Sequence, residues 1–221
     1  LYDSSENRYL ISNEDDARTR ISPNSTYKIY SALIPLDAGI ITAKDSAMAW
    51  NGEACPFDSW NRDQNLNTAM TNSVNWYFMN LDRQSGLDSI KRELTALSYG
   101  NLDFSGGLSR FWLESSLKIS PLEQVKLLAA LSGHTLPYSE RDMETVKDAL
   151  FLSSDGTSSL YGKTGTGTVD GKNTNGWFIG FIESENGSCS FAVHIKGDDG
   201  ATGTKAGEIA LRILKEKQLY G

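Results

Sequence analysis

Ser25 and Lys28, in the stretch ISPNSTYKIYSAL, stand three residues apart, a separation at which two side chains share one face of a helix. Tyr27, Ile29, Tyr30 and Leu33 make their surroundings apolar. Burial disfavours an ammonium, so a lysine placed there gives up its proton easily and can take one from a serine hydroxyl. A serine can become a nucleophile in this way with no histidine beside it. The start of a helix also leaves backbone N–H groups free, and one of these can face a developing oxyanion. The same spacing recurs at Ser115 and Lys118 in ESSLKIS, where Glu114 lies close by and Ser120 caps an oncoming helix; an ordinary solvated lysine is expected there.

A second cluster lies in YGKTGTGTVDGKNTNGWF. On a strand edge, Lys163, Thr164, Gly165 and Thr166 would offer a cation, two hydroxyls and a closely approachable backbone, a set able to hold a carboxylate-bearing amide; a plain hairpin strand is the bland alternative. The stretch is not a phosphate-binding loop. One residue too many separates Gly156 from Gly162, and no helix follows the lysine to receive a phosphate. The only histidines, His134 beside a glycine at a helix end and His194 inside the strand-like SFAVHIKG, read as packed or surface residues and not as bases. Cys55 and Cys189 lie far apart without the spacing of metal ligands, so no structural metal is expected, and whether they pair is left open.

These residues must be positioned by a chain of 221 residues with 39% hydrophobic content, enough for one compact domain with a sizeable core. The net charge of -7, with its basic residues scattered, argues against a nucleic-acid surface. No run approaches the roughly 18 apolar residues of a membrane span, since ALIPLDAGII is interrupted by Pro35 and Asp37. The chain opens at Leu1 without a signal peptide, which implies a preceding segment removed or left out. Residues 1–12 read as an edge strand, and residues 25–39 as a helix with Ser22, Pro23 and Asn24 as start signals and Gly39 as a stop. Further helices are expected near 67–82, 87–98, 120–132, 139–150 and 203–217. Three strands, SSLYGKTGTG, GWFIGFIES and SCSFAVHIKG, precede the last helix. The order predicts an α+β fold, an antiparallel sheet flanked by helices, within a single domain over 1–221 whose helical lobe spans roughly 40–150.

An early S-x-x-K with a late K-T-G marks penicillin-recognising serine enzymes. With SVN at 73–75, YGN at 99–101 and FWLESSLKIS at 111–120, the set resembles the class D β-lactamase group. The stretches SPNSTYKIYSAL, WNRDQNL, SVNWYF and GKTGTGTVDGKNTNGWFIG are more similar still to the sensor domains of the BlaR1/MecR1-type β-lactam receptors. The resemblance implies that Ser25 attacks the β-lactam carbonyl and that Lys28, carrying a CO2-derived carbamate, is the general base. It also implies that Ser73 relays a proton to the leaving nitrogen and that Lys163 eases negative charge beside Ser73. The Ser25 and Thr166 N–H groups would form the oxyanion hole next to Gly165, and Thr164 and Thr166 would meet the substrate carboxylate. Trp112 would steady the carbamate through its indole N–H, while Tyr99 and Asn101 would be structural support. Lys196 and Lys205 are candidates for an additional carboxylate-gripping cation, though solvated surface is the plainer reading of each.

The resemblance departs from the hydrolases at Asn75, where they carry valine and the receptor sensors asparagine. An asparagine oxygen can accept a hydrogen bond from the free Lys28 amine, whereas valine cannot, so loss of CO2 after acylation is favoured and the ester persists. The expected function is therefore an extracytoplasmic β-lactam sensor of a Gram-positive-type bacterium. It would be acylated by penicillins and cephalosporins and tethered to transmembrane and metalloprotease segments, with no cofactor beyond the carbamate. A secreted or lipid-anchored class D β-lactamase is the runner-up. A fold that kept its shape and lost its chemistry is disfavoured by intact Ser25, Lys28, Ser73 and Lys163.

Overall fold

A computed structural model describes residues 1–221. Its centre is an antiparallel sheet in the order β2-β1-β6-β5-β4-β3. β1 (Tyr2–Asp3) and β2 (Arg8–Tyr9) come from the start of the chain, whereas β3 (Phe151–Ser154), β4 (Ser158–Val169), β5 (Lys172–Ser184) and β6 (Gly187–Lys196) come from its last third. The three long strands follow the expected aromatic and β-branched runs. The turns between them are tight, with Asp170 and Gly171 taking positive φ at 49° and 77°. The predicted edge strand over 1–12 is instead a small hairpin, and β3 was not foreseen: its FLSS sequence alternates poorly and all four residues are exposed.

Between the two halves of the sheet run α1 (Glu14–Arg18), α2 (Lys28–Asp37), α3 (Leu66–Thr71), α4 (Asn75–Ser85), α5 (Leu87–Ala96), α6 (Pro121–Ser132) and α7 (Glu140–Leu150), and α8 (Gly203–Glu216) closes the chain. The main core lies where α2 and its neighbours meet one face of the sheet, through Leu33, Phe78, Trp112, Leu128 and Trp177 among others. Period-2 alternation along β5 divides its side chains between the two faces: Trp177, Ile179 and Phe181 join this core, while Phe178 and Ile182 pack with Ala206, Ala210 and Leu214 of α8 on the other side. α6 starts as its sequence directs. Ser120 and Glu123 form a reciprocal capping box, and Pro121 occupies the first turn, where its missing N–H costs nothing.

Two expected helices differ in a way that matters for the site. The one over 25–39 opens as a 3-10 turn, Asn24–Tyr27, before α2 begins at Lys28. The single helix expected over 67–82 is two, broken at Asn72–Val74, with Ser73 in the left-handed region at φ 54°. Apolar spacing continues through the break, so periodicity alone hides it. The break turns Ser73 out of the helical path and towards Lys28.

Candidate active site

The 3-10 turn explains how Ser25 and Lys28 meet. At three residues per turn, side chains at i and i+3 eclipse, and Lys28 Nζ lies 3.0 Å from Ser25 Oγ. Lys28 is fully buried while Ser25 is partly accessible, so the nucleophile faces the opening and its partner lies inside. Lys28 Nζ also donates to the Ser73 carbonyl at 2.5 Å, Asn75 Oδ1 at 2.6 Å and Ser73 Oγ at 2.9 Å. From the other side Lys163 Nζ, on β4, reaches Ser73 Oγ at 3.0 Å. The Ser73 hydroxyl thus sits between two lysines. Burial drives the Lys28 ammonium well below its usual range, helped by the positive charge of Lys163 and opposed by Asp82. Burial also lowers Lys163, to about 7.

Hydrogen-bond geometry shows what a neutral Lys28 can do. Its two N–H bonds are accounted for by the Ser73 carbonyl and Asn75 Oδ1, neither of which has a proton to give. The nitrogen lone pair then remains for the Ser25 hydroxyl. Four oxygens around one nitrogen hold it in place, and in that state it is a base.

The K-T-G segment is pressed onto the nucleophile. A methyl group added at Gly165 would stand 3.1 Å from the Pro23 carbonyl and 3.4 Å from the Ser25 nitrogen, so any larger residue would press β4 against the 3-10 turn. Thr164 and Thr166 lie on the same strand, and Thr166 Oγ1 accepts from the Gly203 N–H at 2.8 Å, which fixes its hydroxyl. Lys205, in the first turn of α8, is exposed; Lys196 is 77% exposed and pairs with Asp16 at 3.5 Å.

Trp112 is fully buried, its ring centroid 5.5 Å from Lys28 Nζ. It borders the lysine pocket, but its indole N–H does not serve the lysine. That group donates to Asp82 Oδ2 at 3.0 Å. Tyr99 is fully buried against Tyr27 and Tyr30, and Asn101 holds the 101–118 loop by donating to the Ser116 carbonyl at 2.9 Å and accepting from the Lys118 N–H at 2.8 Å. Both have the contacts of supports and neither touches Ser25 or Lys28. The second S-x-x-K comes apart: Lys118 is not solvated as expected but half-buried, donating to Ser22 Oγ at 2.9 Å. Its long side chain turns inward because Ser22 offers a sheltered acceptor.

Two site-supporting residues had been given no such part in the sequence. Asp82 is one. Glu114, read only as a neighbour of Lys118, accepts from Asn24 Nδ2 at 2.7 Å and Asn175 Nδ2 at 2.6 Å, which clamps the 3-10 turn to β5. His194 completes that network through Asn175 Oδ1 at 2.9 Å, and burial depresses it to about 4, so it is a neutral packing residue. His134 pairs with Glu144 at the surface. Cys55 and Cys189 are both free, the first only partly buried. A cavity of about 820 Å³ borders β6 and α8 beside Leu1, Val193 and Ile213 and includes none of Ser25, Lys28, Ser73 or Lys163. Chemistry, not volume, locates the site.

Comparison with known proteins agrees with this geometry. The penicillin binding protein transpeptidase domain matches residues 2–215. The regulatory protein BlaR1 of Bacillus licheniformis is 44% identical over 220 residues, all of this chain but 36% of that protein. The chain therefore spans about a third of the length of that relative. The solved C-terminal domain of the Bacillus licheniformis BlaR penicillin-receptor superposes with a TM-score of 0.91 at 44% identity, covering 95% of this chain and 85% of that one. The class D β-lactamase BAT-2 gives 0.94 at 40% identity, covering 100% of this chain and 90% of that one.

Proposed function

The chain belongs to the penicillin binding protein transpeptidase family, and from that premise we propose that it is the sensor domain of a β-lactam receptor, acylated on Ser25 by penicillins and cephalosporins. The observation that carries this reading is the hold of Asn75 Oδ1 on Lys28 Nζ at 2.6 Å, beside a nucleophile 3.0 Å away. Ser25 Oγ attacks the lactam carbonyl as its proton passes to the Lys28 side chain. The carbonyl oxygen takes the negative charge, next to the Ser25 and Thr166 N–H groups. The ring C–N bond then breaks, and its nitrogen receives a proton through Ser73, which Lys163 keeps supplied with positive charge. An ester on Ser25 remains, with the substrate carboxylate held by Thr164 and Thr166.

A carbamate on Lys28 fits the pocket chemically, because only an unprotonated amine attacks CO2 and desolvation favours that form here. When present it would supply carboxylate oxygens beside Ser25 able to accept its proton, and the Ser25 and Ser73 hydroxyls can donate to it. Asn75 favours the free amine. With its N–H groups bound to Asn75 and Ser73, the amine lacks the carbamate oxygens that would reach a water beside the ester, and the acyl-protein persists as a signal. We place the domain on the extracytoplasmic face of a Gram-positive-type membrane, joined in one polypeptide to transmembrane and metalloprotease segments. No helix of this chain is itself long and apolar enough to cross a membrane.

The TM-score of 0.94 with a class D β-lactamase supports a second reading, hydrolysis by the same acylation followed by fast deacylation. One experiment separates them and tests the site. Labelled penicillin, followed by mass spectrometry, should add one equivalent that stays bound; Ser25→Ala should abolish the label and Ser115→Ala should keep it. Label surviving the loss of Ser25 overturns the nucleophile, and steady turnover by the unaltered protein selects the hydrolase.

A further inference from the structure

Asp82 is a buried carboxylate to which the chemistry above assigns no part. It is 1% exposed. Oδ1 accepts from Ser31 Oγ at 2.7 Å and from the Tyr27 hydroxyl at 3.4 Å, and Oδ2 accepts from Trp112 Nε1 at 3.0 Å. It has no ion-pair partner. Three neutral donors converge on an anion in the core, and one of them belongs to the tryptophan that walls the Lys28 pocket. Burying a carboxylate with no cation beside it is costly, so a purely structural part could be filled more cheaply by a neutral side chain.

Lys28 feels that charge. Asp82 stabilises positive charge on it, so by the same field it opposes negative charge there. A carbamate would put a second anion against the same tryptophan, and the indole N–H that could have served it is already committed to Asp82. We infer that Asp82 is a positioning residue that keeps Lys28 uncarboxylated, through its charge and through its grip on Trp112, and that it takes up a proton when Lys28 binds CO2. The inference rests on the proposed carbamate. In that step the Lys28 lone pair forms the N–C bond, one C=O π bond of CO2 breaks and leaves its electron pair on oxygen as the carboxylate charge, and the proton lost from nitrogen is balanced by the one gained at Asp82. Reversal breaks the N–C bond, returns its electrons and a proton to nitrogen and releases CO2. Asp82 is already raised to about 6, mainly by burial and against the pull of its three donors and Arg83, so a neighbouring negative charge would carry it past neutrality. The titratable and charged groups around it are Tyr27 and Lys28 from the 3-10 turn and α2, and Arg83 on its own helix, with Lys163 acting on Lys28 from β4.

Asp82→Asn keeps an oxygen for Trp112 and removes the charge. Titration with 13C-bicarbonate, followed by NMR of the carbamate carbon, should show half-occupancy at about one-tenth the bicarbonate needed by the wild type, since a like charge of this kind shifts an ionisation by about a unit. The acyl-ester should also hydrolyse faster. An equal or higher bicarbonate requirement in a folded Asp82→Asn protein, or no carbamate signal in either protein, overturns the inference. Stoichiometric labelling of Ser25 on the same samples reports separately on the sensor reading. If the variant does not fold, the wild type decides. At fixed dissolved CO2, an amine that sheds one proton on carbamylation gains occupancy about tenfold per pH unit. With Asp82 taking that proton the rise between pH 6 and 8 should stay below about threefold per unit, and the full tenfold slope refutes the assignment.

Discussion

Replacing Asn75 by valine tests whether one hydrogen bond separates a sensor from a hydrolase. The bond lost is Lys28 Nζ to Asn75 Oδ1, 2.6 Å long, between a fully buried lysine and a half-buried asparagine. Burial and Lys163 favour the neutral lysine, so the value for charged partners is a ceiling of about 3 kcal/mol. The freed N–H is not orphaned, because the Ser73 carbonyl and the Ser25 and Ser73 hydroxyls remain within 3.0 Å. A cost of about 1 to 2 kcal/mol follows, which moves the balance between amine and carbamate roughly five- to thirtyfold. Stopped-flow ring opening of a chromogenic cephalosporin reads the outcome. Wild type should give one fast equivalent and then almost nothing. Asn75→Val should keep the fast equivalent, since Ser25 and its backbone are untouched, and accelerate the slow phase by a similar factor. A folded variant with an intact burst and an unchanged slow phase would show that asparagine does not trap the ester, and the account of persistence would fail.

Three other expectations follow from the geometry. Gly165→Val should cut the acylation rate by more than tenfold while most of the fold survives, because its side chain meets the Pro23 carbonyl and forces β4 off the 3-10 turn; unchanged labelling kinetics would refute the close approach. Lys163 is lowered to about 7 by burial, so the pH profile of acylation should carry an inflection near neutrality that Lys163→Met removes, together with a drop in rate. His194 is depressed to about 4 against an ordinary value near 6.5. The unfolded chain therefore binds its proton first as pH falls, and the stability present above about 6.5 is lost down to 4, with about 1.4 kcal/mol per unit as a ceiling for this part-buried ring. Urea melts of His194→Gln should flatten that slope.

The residues that act were legible because chemistry restricts them to few spacings. Ser25 with Lys28, and Lys163 with Thr164 and Gly165, stand out locally, and the strands carrying the second group announce themselves by composition. The sheet with flanking helices followed from the order of the elements. What stayed hidden depends on partners far along the chain. Asp82 sits in the helical stretch NWYFMNLDRQS and looks like any polar position of an amphipathic helix; only α2 and Trp112, packed against it, make it a buried anion. Glu114 looked like the counter-ion of Lys118, yet its partners are 61 and 90 residues away. The indole of Trp112 was expected to serve the lysine, and the competing acceptor 30 residues upstream could not be seen. The interruption at Ser73 was masked because α3 and α4 bury the same face on either side of it.

That interruption has a consequence for how the sequence can drift. Ser73 points both its carbonyl and its hydroxyl at Lys28 Nζ, which a residue inside a regular helix could not do, and it pays for this with a left-handed backbone at φ 54°. Such a conformation costs a non-glycine residue about 1 kcal/mol or more. Glycine would remove the strain and still supply the carbonyl, so selection for stability alone would push this position towards glycine and leave a sturdier, silent protein. Serine persists there only while the proton it carries is needed. The position therefore records whether a lineage still uses the chemistry: a descendant that keeps the fold as a mere scaffold should lose Ser73 before it loses any residue of the core.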